Sequence, residues 1–382
     1  MLTNLFRSPE QTTIGYEAIR LSSTRRLMMT VITFTLTVGM TLCLSTNALA
    51  QRFQQTNLVS DVPGMAPTTD PNLVNPWGLA RSASSPWWVA DNGTGVSTLY
   101  NGSGGIVPLV VTIPVPPGGT PPSAPTGAVF NGSADFMGDR FIFVTEEGVI
   151  AGWSSGTSAI LRVNQSGSAI YKGVALAQIN GANFLYAANF FAGTVDVFDK
   201  NYMPVTLAAG AFSDPLLPAG YAPFNVQNIN GQVFVTFAQQ DKDKMDEVHG
   251  PGLGFVDAFD ASGHLVLRLQ SGSWMNAPWG VVFAPAGFFN TFGNSVGVIG
   301  VTNTLLVGQF GSGQIAMFDL KHGSFAGLLR GANGQPLTID GLWALSFGNG
   351  AAAGPTNTLF FTAGIDDEMH GLFGTITPIP GS

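Results

Sequence analysis

The feature that most constrains the fold is a glycine-led segment that occurs six times along the chain. In each copy a glycine is followed, five positions later, by an aromatic or aliphatic residue. The copies are Gly95–Tyr100, Gly148–Trp153, Gly193–Phe198, Gly254–Phe259, Gly313–Phe318 and Gly371–Ile376. A segment repeated with constant internal spacing indicates that one β-rich unit has been reiterated along a single polypeptide.

Each repeat contains further strands. A short apolar strand precedes every glycine-led segment, and an element with a small residue near its start precedes that strand. These small residues are Gly78, Gly127, Gly173, Asn225, Gly280 and Ala344. A fourth strand can be drawn after each of the first five segments, for example at 107–112, 204–207 and 265–269. Four antiparallel strands per repeat are typical of a β-propeller blade, whose innermost strands crowd the axis and favour small residues there.

The two ends of the repeat array complement each other. The sixth unit lacks a fourth strand, whereas the apolar segment 56–62 precedes the first unit and has no other role. Pairing this segment as the outer strand of the last blade would close the ring and remove two exposed edges. We therefore predict an all-β, six-bladed β-propeller of four-stranded antiparallel blades over 51–382. A sandwich or a linear solenoid would leave the complementary ends unexplained.

Residues 1–50 differ from the rest of the chain and predict an export signal. Arg25 and Arg26 precede an apolar run over 27–44, and Ala48-Leu49-Ala50 matches the small-x-small pattern of signal cleavage. An uncleaved membrane anchor is the alternative. The segment 24–29 weakly resembles a twin-arginine signal, so we expect a secreted or periplasmic protein, with that route as one option.

Charge and cysteine content limit the partners of the expected mature chain. Cys43 lies in the export signal, so disulfides, thiolate ligands and a cysteine nucleophile are not expected. Residues 51–382 carry 11 Lys and Arg against 21 Asp and Glu, a formal charge of −10. This charge would repel nucleic acid and an anionic membrane surface. We expect a monomer that binds a glycan, a peptide or a small molecule.

Several stretches resemble an uncharacterised family of exported bacterial propeller proteins, some of which carry a Pro-Glu-Pro sorting segment. The stretches are 75–80, 187–199, 217–227 and 338–374. The resemblance covers nearly all of the expected mature chain and implies the propeller fold and export. No apolar anchor follows Pro378-Ile379-Pro380, so surface sorting is not implied. No activity comes with the resemblance.

Two loops share the pattern Asp-Glu-x-His-Gly, one in the fourth repeat and one in the sixth. Their candidate metal ligands are Asp246, Glu247, His249, Asp367, Glu368 and His370. Carboxylates with imidazole are ligands for Zn, Mn or Fe, and carboxylates with carbonyls suit Ca. The alternative is that both loops are inherited from a duplicated blade, with solvated acids and each histidine bonded to its own turn. The two blades are separated by another, so their side chains need not converge.

Aromatic residues recur where the inner strands begin. Trp77, Phe224, Trp279 and Trp343 could surround a central opening and stack on a sugar ring or a flat apolar ligand. The alternative is that they plug the axis and pack between blades. Polar residues expected on the same face, as candidates for orienting a ligand, are Asn92, Glu146, Asn189 and Gln309.

Two functions remain open from the sequence. The first is a non-catalytic binding module outside the cytoplasm. The second is a metal-dependent hydrolase or lyase, analogous in fold to propeller lactonases. The glycine-serine stretches do not sit between a strand and a helix, which argues against a serine-hydrolase elbow. Neither catalytic residues nor a substrate can be named from the sequence.

Overall fold

The computed structural model describes residues 51–289 and 303–381, and the expected export signal at 1–50 lies outside them. Six β-sheets follow one another along the chain, and each is one blade. The inner strand of every blade contacts the inner strands of its two neighbours, and that of the sixth blade contacts that of the first. This confirms the prediction of an all-β, six-bladed β-propeller with four-stranded antiparallel blades.

The first four strands in each set below are the inner to outer strands of one blade, and extra short strands follow. Blade one has Pro76–Ala80, Trp87–Asp91, Val96–Tyr100 and Val111–Thr112; blade two has Pro125–Phe130, Phe141–Thr145, Val149–Trp153 and Ile160–Asn164. Blade three has Tyr171–Ile179, Ala182–Asn189, Thr194–Phe198 and Pro204–Val205; blade four has Tyr221–Ile229, Gln232–Gln240, Phe255–Phe259 and Leu265–Arg268, with Glu247–Val248 added. Blade five has Pro278–Phe283, Thr304–Gln309, Ile315–Asp319 and Ser324–Leu328; blade six has Leu342–Phe347, Leu359–Ile365, His370–Pro378 and Arg52–Ser60, with Thr68–Thr69 and Arg330–Gly331 added. One 3₁₀ turn, Phe136–Gly138, lies in blade two.

The outer strand of blade six comes from the opposite end of the described chain. Arg52–Ser60 pairs antiparallel with His370–Pro378 from Phe53 opposite Pro378 to Ser60 opposite Leu372. This strand begins earlier than the segment 56–62 chosen from the sequence, because the pairing extends to the far end of His370–Pro378. Thr68–Thr69 and Arg330–Gly331 pair with its other edge.

The inner strands approach one another closely at the axis, which explains their small residues. A Cβ atom at Gly78 would lie 2.7 Å from the carbonyl oxygen of Thr126, and one at Gly280 would lie 2.5 Å from that of Trp343. Both separations are far inside van der Waals contact. All six inner strands also have a β-bulge at this level. Any larger side chain at Gly78 or Gly280 would force neighbouring blades apart.

The core lies between blades rather than within them. Successive side chains of a strand point to opposite faces of its sheet. In Phe141–Thr145, Phe143 packs towards blade one with Trp88, whereas Val144 packs towards blade three with Leu185. Both faces are buried, so the strand is apolar throughout, and each buried side chain of this size contributes about 2 kcal/mol. Within the described ranges, no helix has the length and apolar character needed to cross a membrane.

Candidate functional site

Six side chains occupy one level of the axis, each just before the small residue of its inner strand. They are Trp77, Thr126, Lys172, Phe224, Trp279 and Trp343. Four of them are the aromatics predicted from the sequence, and none of these four is more than 4% exposed. We call these four aromatics the axial plug.

The axial plug is a compact aromatic cluster. The rings of Trp77 and Trp343 stack with centroids 3.6 Å apart, and the ring of Trp279 meets Trp77 edge-on at 6.1 Å. The indole N–H of Trp343 donates to Asn75 Oδ1 at 3.1 Å, and that of Trp279 donates to the Lys172 carbonyl at 2.9 Å. Phe224, Trp279 and Trp343 do not line the cavity described next, which supports the packing alternative for these three. Only Trp77 also faces the cavity.

A cavity of about 340 Å³ lies over the plug, and we call it the acidic cavity. Its non-acidic walls include Trp77, Lys172, His249 and Phe310. Six acidic residues complete the lining: Glu146, Asp246, Glu247, Asp340, Asp367 and Glu368. The cavity is therefore lined by carboxyl groups from several blades around one ammonium group.

The blade topology brings most of these acids together. Glu146, Asp246 and Asp367 each follow the second strand of a blade, in the loop that leads to the third strand. In an antiparallel blade these loops lie at the same end as the start of the inner strand, so loops of different blades meet around the axis. Five acidic candidates predicted from the sequence thus line one cavity, because Glu247 and Glu368 directly follow Asp246 and Asp367.

Lys172 lies at the centre of the charge arrangement. Its side chain is 1% exposed, and Nζ donates to Glu146 Oε1 at 2.5 Å and to Asp246 Oδ1 at 3.2 Å. Nζ also lies 5.2 Å from the centroid of the Trp77 ring. Burial alone would lower the pKa of Lys172, but the carboxylates of Glu146 and Asp246, joined by Glu247 when it is ionised, outweigh burial and hold this pKa above its usual value. Lys172 is therefore a charged ammonium at neutral pH.

Glu247 has the opposite character. Burial raises the pKa of Glu247 to about 8, with Lys172 opposing the shift and Glu368 and Asp246 adding to it. Burial also raises the pKa of Glu368, against a hydrogen bond from Asn75 that favours the charged form. The cavity consequently holds a carboxylic acid that retains its proton near neutral pH beside a cation.

An amide chain fixes two of the carboxyl groups. Asn75 Nδ2 donates to Glu368 Oε2 at 2.6 Å, and Asn92 Nδ2 donates to Glu146 Oε2 at 3.0 Å. The two amides are joined by a 3.3 Å bond from Asn75 Nδ2 to Asn92 Oδ1. Asn92, a sequence-predicted candidate, therefore orients Glu146 and does not itself line the cavity.

The loop that carries Glu368 has an unusual backbone. Asp366, Asp367 and Glu368 all have left-handed conformations, with φ of 57°, 51° and 64°. A residue other than glycine in this conformation costs about 1 kcal/mol or more. The Asp366 amide donates to Asp340 Oδ2 at 2.9 Å, which helps to hold the turn. This turn directs two successive acids into the same cavity, which an extended segment would not do.

The metal centre expected from the two Asp-Glu-x-His-Gly loops stays a prediction. No group of three His, Cys, Asp or Glu side chains is arranged to hold a metal ion in the described part of the chain. His249 lines the cavity, but His370 points to another partner, and its Nδ1 lies 2.7 Å from Asp61 Oδ2. Lys172 lies between the carboxylates of Glu146 and Asp246, so the chain itself supplies the cation at this point.

The remaining two candidates have structural contacts. Asn189 is 3% exposed, and its Nδ2 donates to Asp196 Oδ2 at 2.9 Å. Gln309 is fully buried, and its Oε1 accepts from the Asn276 amide at 2.8 Å. Neither residue lines the acidic cavity, and both hold turns on the face that was predicted for them.

Sequence reasoning missed Lys172, Asp340 and Phe310. A signal for Lys172 was present, because Tyr171-Lys172-Gly173 places a lysine where most blades carry a large aromatic residue. A charged residue at a position that other repeats reserve for the axis indicates a buried charge with partners. Phe310 also had a signal, because Gln309-Phe310 precedes Gly313 with the same spacing as Asn189-Phe190 precedes Gly193, whereas Asp340 has none.

Comparisons with known proteins identify relatives without an assigned activity. The chain is 30% identical to the uncharacterized protein R648 of Acanthamoeba polyphaga mimivirus over 341 residues, which cover 84% of this chain and 78% of that protein. It is 29% identical to the uncharacterized protein L690 of the same virus, with 84% of each chain covered. No protein-family model matches. The expected uncharacterised family is confirmed, while its bacterial origin, its export and its Pro-Glu-Pro segment stay predictions.

Solved structures with similar folds are distant in sequence. A streptogramin B lyase is 12% identical with a TM-score of 0.48, covering 86% of this chain and 97% of the lyase. The virginiamycin B lyase from Staphylococcus aureus is 10% identical with a TM-score of 0.47, covering 86% of this chain and all of the lyase. Likenesses at this level give no information on function.

Proposed function

The chain belongs to the family of mimivirus protein R648, and we propose that it binds a small organic cation in the acidic cavity at the propeller axis. One observation carries the proposal. Carboxyl groups from blades two, four and six converge on a cavity in which the chain's own ammonium, Lys172, is already held by two of them. The remaining carboxyl groups are available to a second cation.

The charge balance of the lining favours a positively charged ligand. Among the described residues that line the cavity, six are acidic and one is a lysine. Even with a proton on Glu247, several carboxylates face a single ammonium group. Carboxylates of one sign that line a recess focus their electric field there and attract a cation. An anionic ligand would have to overcome the same field.

The aromatic walls favour an organic cation over a bare metal ion. Phe310 is partly exposed, lines the cavity and stacks on Trp343 with ring centroids 4.0 Å apart. An ammonium or guanidinium group over an aromatic face gains about 0.5–2 kcal/mol. The Phe310 ring is held by the axial plug, so it needs no rearrangement to serve as such a face.

The size of the cavity limits the ligand. At about 340 Å³ it lies at the lower end of the range for small-molecule sites, roughly 300–1,000 Å³. A monoamine, a diamine or a guanidinium compound fits this volume better than a folded partner does. With the predicted export signal, this binding would take place outside the cytoplasm, which is part of the proposal.

Thermal unfolding with defined probes tests the proposal. Agmatine, spermidine and choline represent organic cations, whereas citrate and glucose represent anionic and neutral compounds. At least one cation should raise the melting temperature, since a ligand at 100 times its Kd stabilises the native state by about 2.7 kcal/mol. Citrate and glucose should not. Stabilisation by citrate alone, or by no cation in the panel, would refute the proposal.

Acid–base catalysis is a second candidate, favoured by one observation. Glu247 holds its proton near pH 7 and shares the cavity with Glu146 and Glu368. A proton donor beside a carboxylate is the arrangement that general acid–base catalysis requires. Arginine methyl ester combines a guanidinium with a cleavable bond, so methanol release that is lost in Glu247→Gln would support catalysis. If arginine methyl ester binds but releases no methanol, catalysis is ruled out for this ester and cation binding remains the proposed function.

A further inference from the structure

A second cavity lies at the opposite end of the blades. Its volume is about 710 Å³, and it is formed by blades two, three and four. Gly181 and Gly231, which line it, lie in the turns between the first and second strands of blades three and four. These turns lie at the other end of each blade from the loops that form the acidic cavity. Their Asn-Gly sequences, with positive φ at both residues, are those of tight hairpin turns.

The lining of this cavity differs in chemistry from that of the acidic cavity. Amide side chains dominate it: Asn131, Gln178, Asn183 and Asn228. Among the described residues that line it, none is acidic or basic. We call this cavity the amide groove. The whole chain has a net charge of −8, but the lining of this groove carries no charge. The lining therefore does not select a ligand by its charge.

The amide groups are held in place by hydrogen bonds. Gln178 Nε2 donates to Asn183 Oδ1 at 2.9 Å, and Asn183 Nδ2 donates to Asp135 Oδ2 at 2.8 Å. Asn228 Nδ2 donates to the Leu176 carbonyl at 2.7 Å. A side-chain amide has two N–H donors and a carbonyl oxygen with two lone pairs. Asn228 Oδ1 also accepts from the Gly231 amide at 3.0 Å, and each of these three amides still uses only part of this capacity, while its orientation is already set.

An aromatic wall completes the groove. Phe130 lines it and is partly exposed, and its ring packs beside Phe141 with centroids 5.3 Å apart. Fixed amides next to an aromatic ring match a ligand that has hydroxyl groups on its edges and an apolar face. We propose that the amide groove binds an uncharged oligosaccharide, with Gln178 and Asn228 bonding its hydroxyl groups and Phe130 packing on a sugar ring. This site is independent of the cation site on the other face.

Isothermal titration with neutral hexasaccharides tests the inference. Cellohexaose, maltohexaose and xylohexaose are each titrated into the full chain. At least one should bind, and the Gln178→Ala, Asn228→Ala double variant should weaken that binding about tenfold. Both residues are exposed, so the variant should fold as the wild type does. Phe130→Leu, which keeps an apolar side chain without the ring, should also weaken binding, by about fivefold.

Two controls separate the groove from other surfaces. Asn201 is an exposed asparagine in a loop on the same face and does not line the groove, so Asn201→Ala should bind as the wild type does. Glu247→Gln alters the acidic cavity and should also leave saccharide binding unchanged. The inference is overturned if none of the hexasaccharides binds at up to about 10 mM. Equal binding by the wild type and both groove variants would also overturn it.

Discussion

The two Asp-Glu-x-His-Gly loops have the same motif and different surroundings. In loop four, residues 246–250, Glu247–Val248 forms a short strand on Gln232–Gln240, and Asp246 bonds Lys172. In loop six, residues 367–371, the first two residues continue a left-handed turn, and Glu368 bonds Asn75. Both glutamates line the acidic cavity, yet the two histidines separate. A repeated motif therefore brought acids together without producing a repeated site.

The partners outside the motif account for the difference. Asp61 follows the outer strand of blade six, and its carboxylate accepts from His370 Nδ1 and from the Gly371 amide, each at 2.7 Å. Loop four has no such neighbour within the described residues, and His249 stays beside the cavity, with its ring 6.1 Å from that of Phe310. The position of the His370 ring is thus set by a residue far away in sequence.

The largest effect is expected from removing the cation that contacts loop four directly. Lys172→Met leaves Glu146 and Asp246 without their ammonium partner. The free energy of unfolding should fall by about 3 kcal/mol, the low end of the range for breaking a buried ion pair. The loss should be at this low end because both carboxylates keep some solvent contact. Denaturant unfolding measures the loss. Hydrogen exchange should show loop four losing more protection than loop six.

Lys242→Met is the matched control for this prediction. Lys242 lies close to loop four, is 87% exposed at its side chain and pairs with Asp243. Its replacement should change the free energy of unfolding by less than about 0.5 kcal/mol. Equal losses in the two variants would mean that the Lys172 charge cluster contributes nothing specific.

The glutamates of the two loops should make stability depend on pH. The folded-state pKa of Glu247, about 8, lies above its ordinary value of 4.5. The contribution of Glu247 to stability is therefore complete below pH 4.5 and is lost as the pH rises from 4.5 to about 8. Glutamine stays neutral, so Glu247→Gln should exceed the wild type in stability at pH 9 by on the order of 2 kcal/mol. Glu368→Gln should gain less, because it loses the bond from Asn75 to the charged form. Unfolding free energies from pH 4 to pH 9 give the comparison, and parallel profiles would contradict it.

Asp61→Ala tests the partner that only loop six has. The change leaves the buried Gly371 amide without its acceptor, which should cost about 1–2 kcal/mol in the free energy of unfolding. His249→Ala, the corresponding probe of loop four, should have little effect because the ring makes no hydrogen bond among the described residues. Chemical denaturation of both variants is the measurement, and a larger loss in His249→Ala would reverse the comparison.

The smallest effect concerns the charge on His370. The hydrogen bond to Asp61 raises the pKa of His370 above 6.5, against a small opposing effect of burial. Its contribution to stability is therefore complete below about pH 6.5 and is lost as the pH rises through the folded-state pKa. His370→Gln should flatten the melting temperature between pH 6 and pH 8, and His249→Gln should not. The pKa of His370, followed by NMR, should fall towards its ordinary value in Asp61→Asn, with Asp366 still raising it.

The fold could be predicted from the sequence because a propeller repeats its signals. The six glycine-led strands and the six small residues at the axis independently predict a six-bladed propeller. The cavity could be predicted in part, since loops after second strands must share a face. Lys172 could be recognised only by comparing one position across blades. The contact between Asp61 and His370 joins residues 309 positions apart, and no repeat indicates it.

Titration of agmatine by isothermal calorimetry tests the central claim most directly, namely that carboxyl groups of both loops bind an organic cation. At pH 9, where Glu247 has lost its proton, agmatine should bind the wild type, and the Glu247→Gln, Glu368→Gln double variant should bind at least about tenfold more weakly. Asp243→Asn, which removes an exposed acid outside the cavity, should bind as the wild type does. Equal affinities for all three proteins, or no binding to the wild type, would contradict the account.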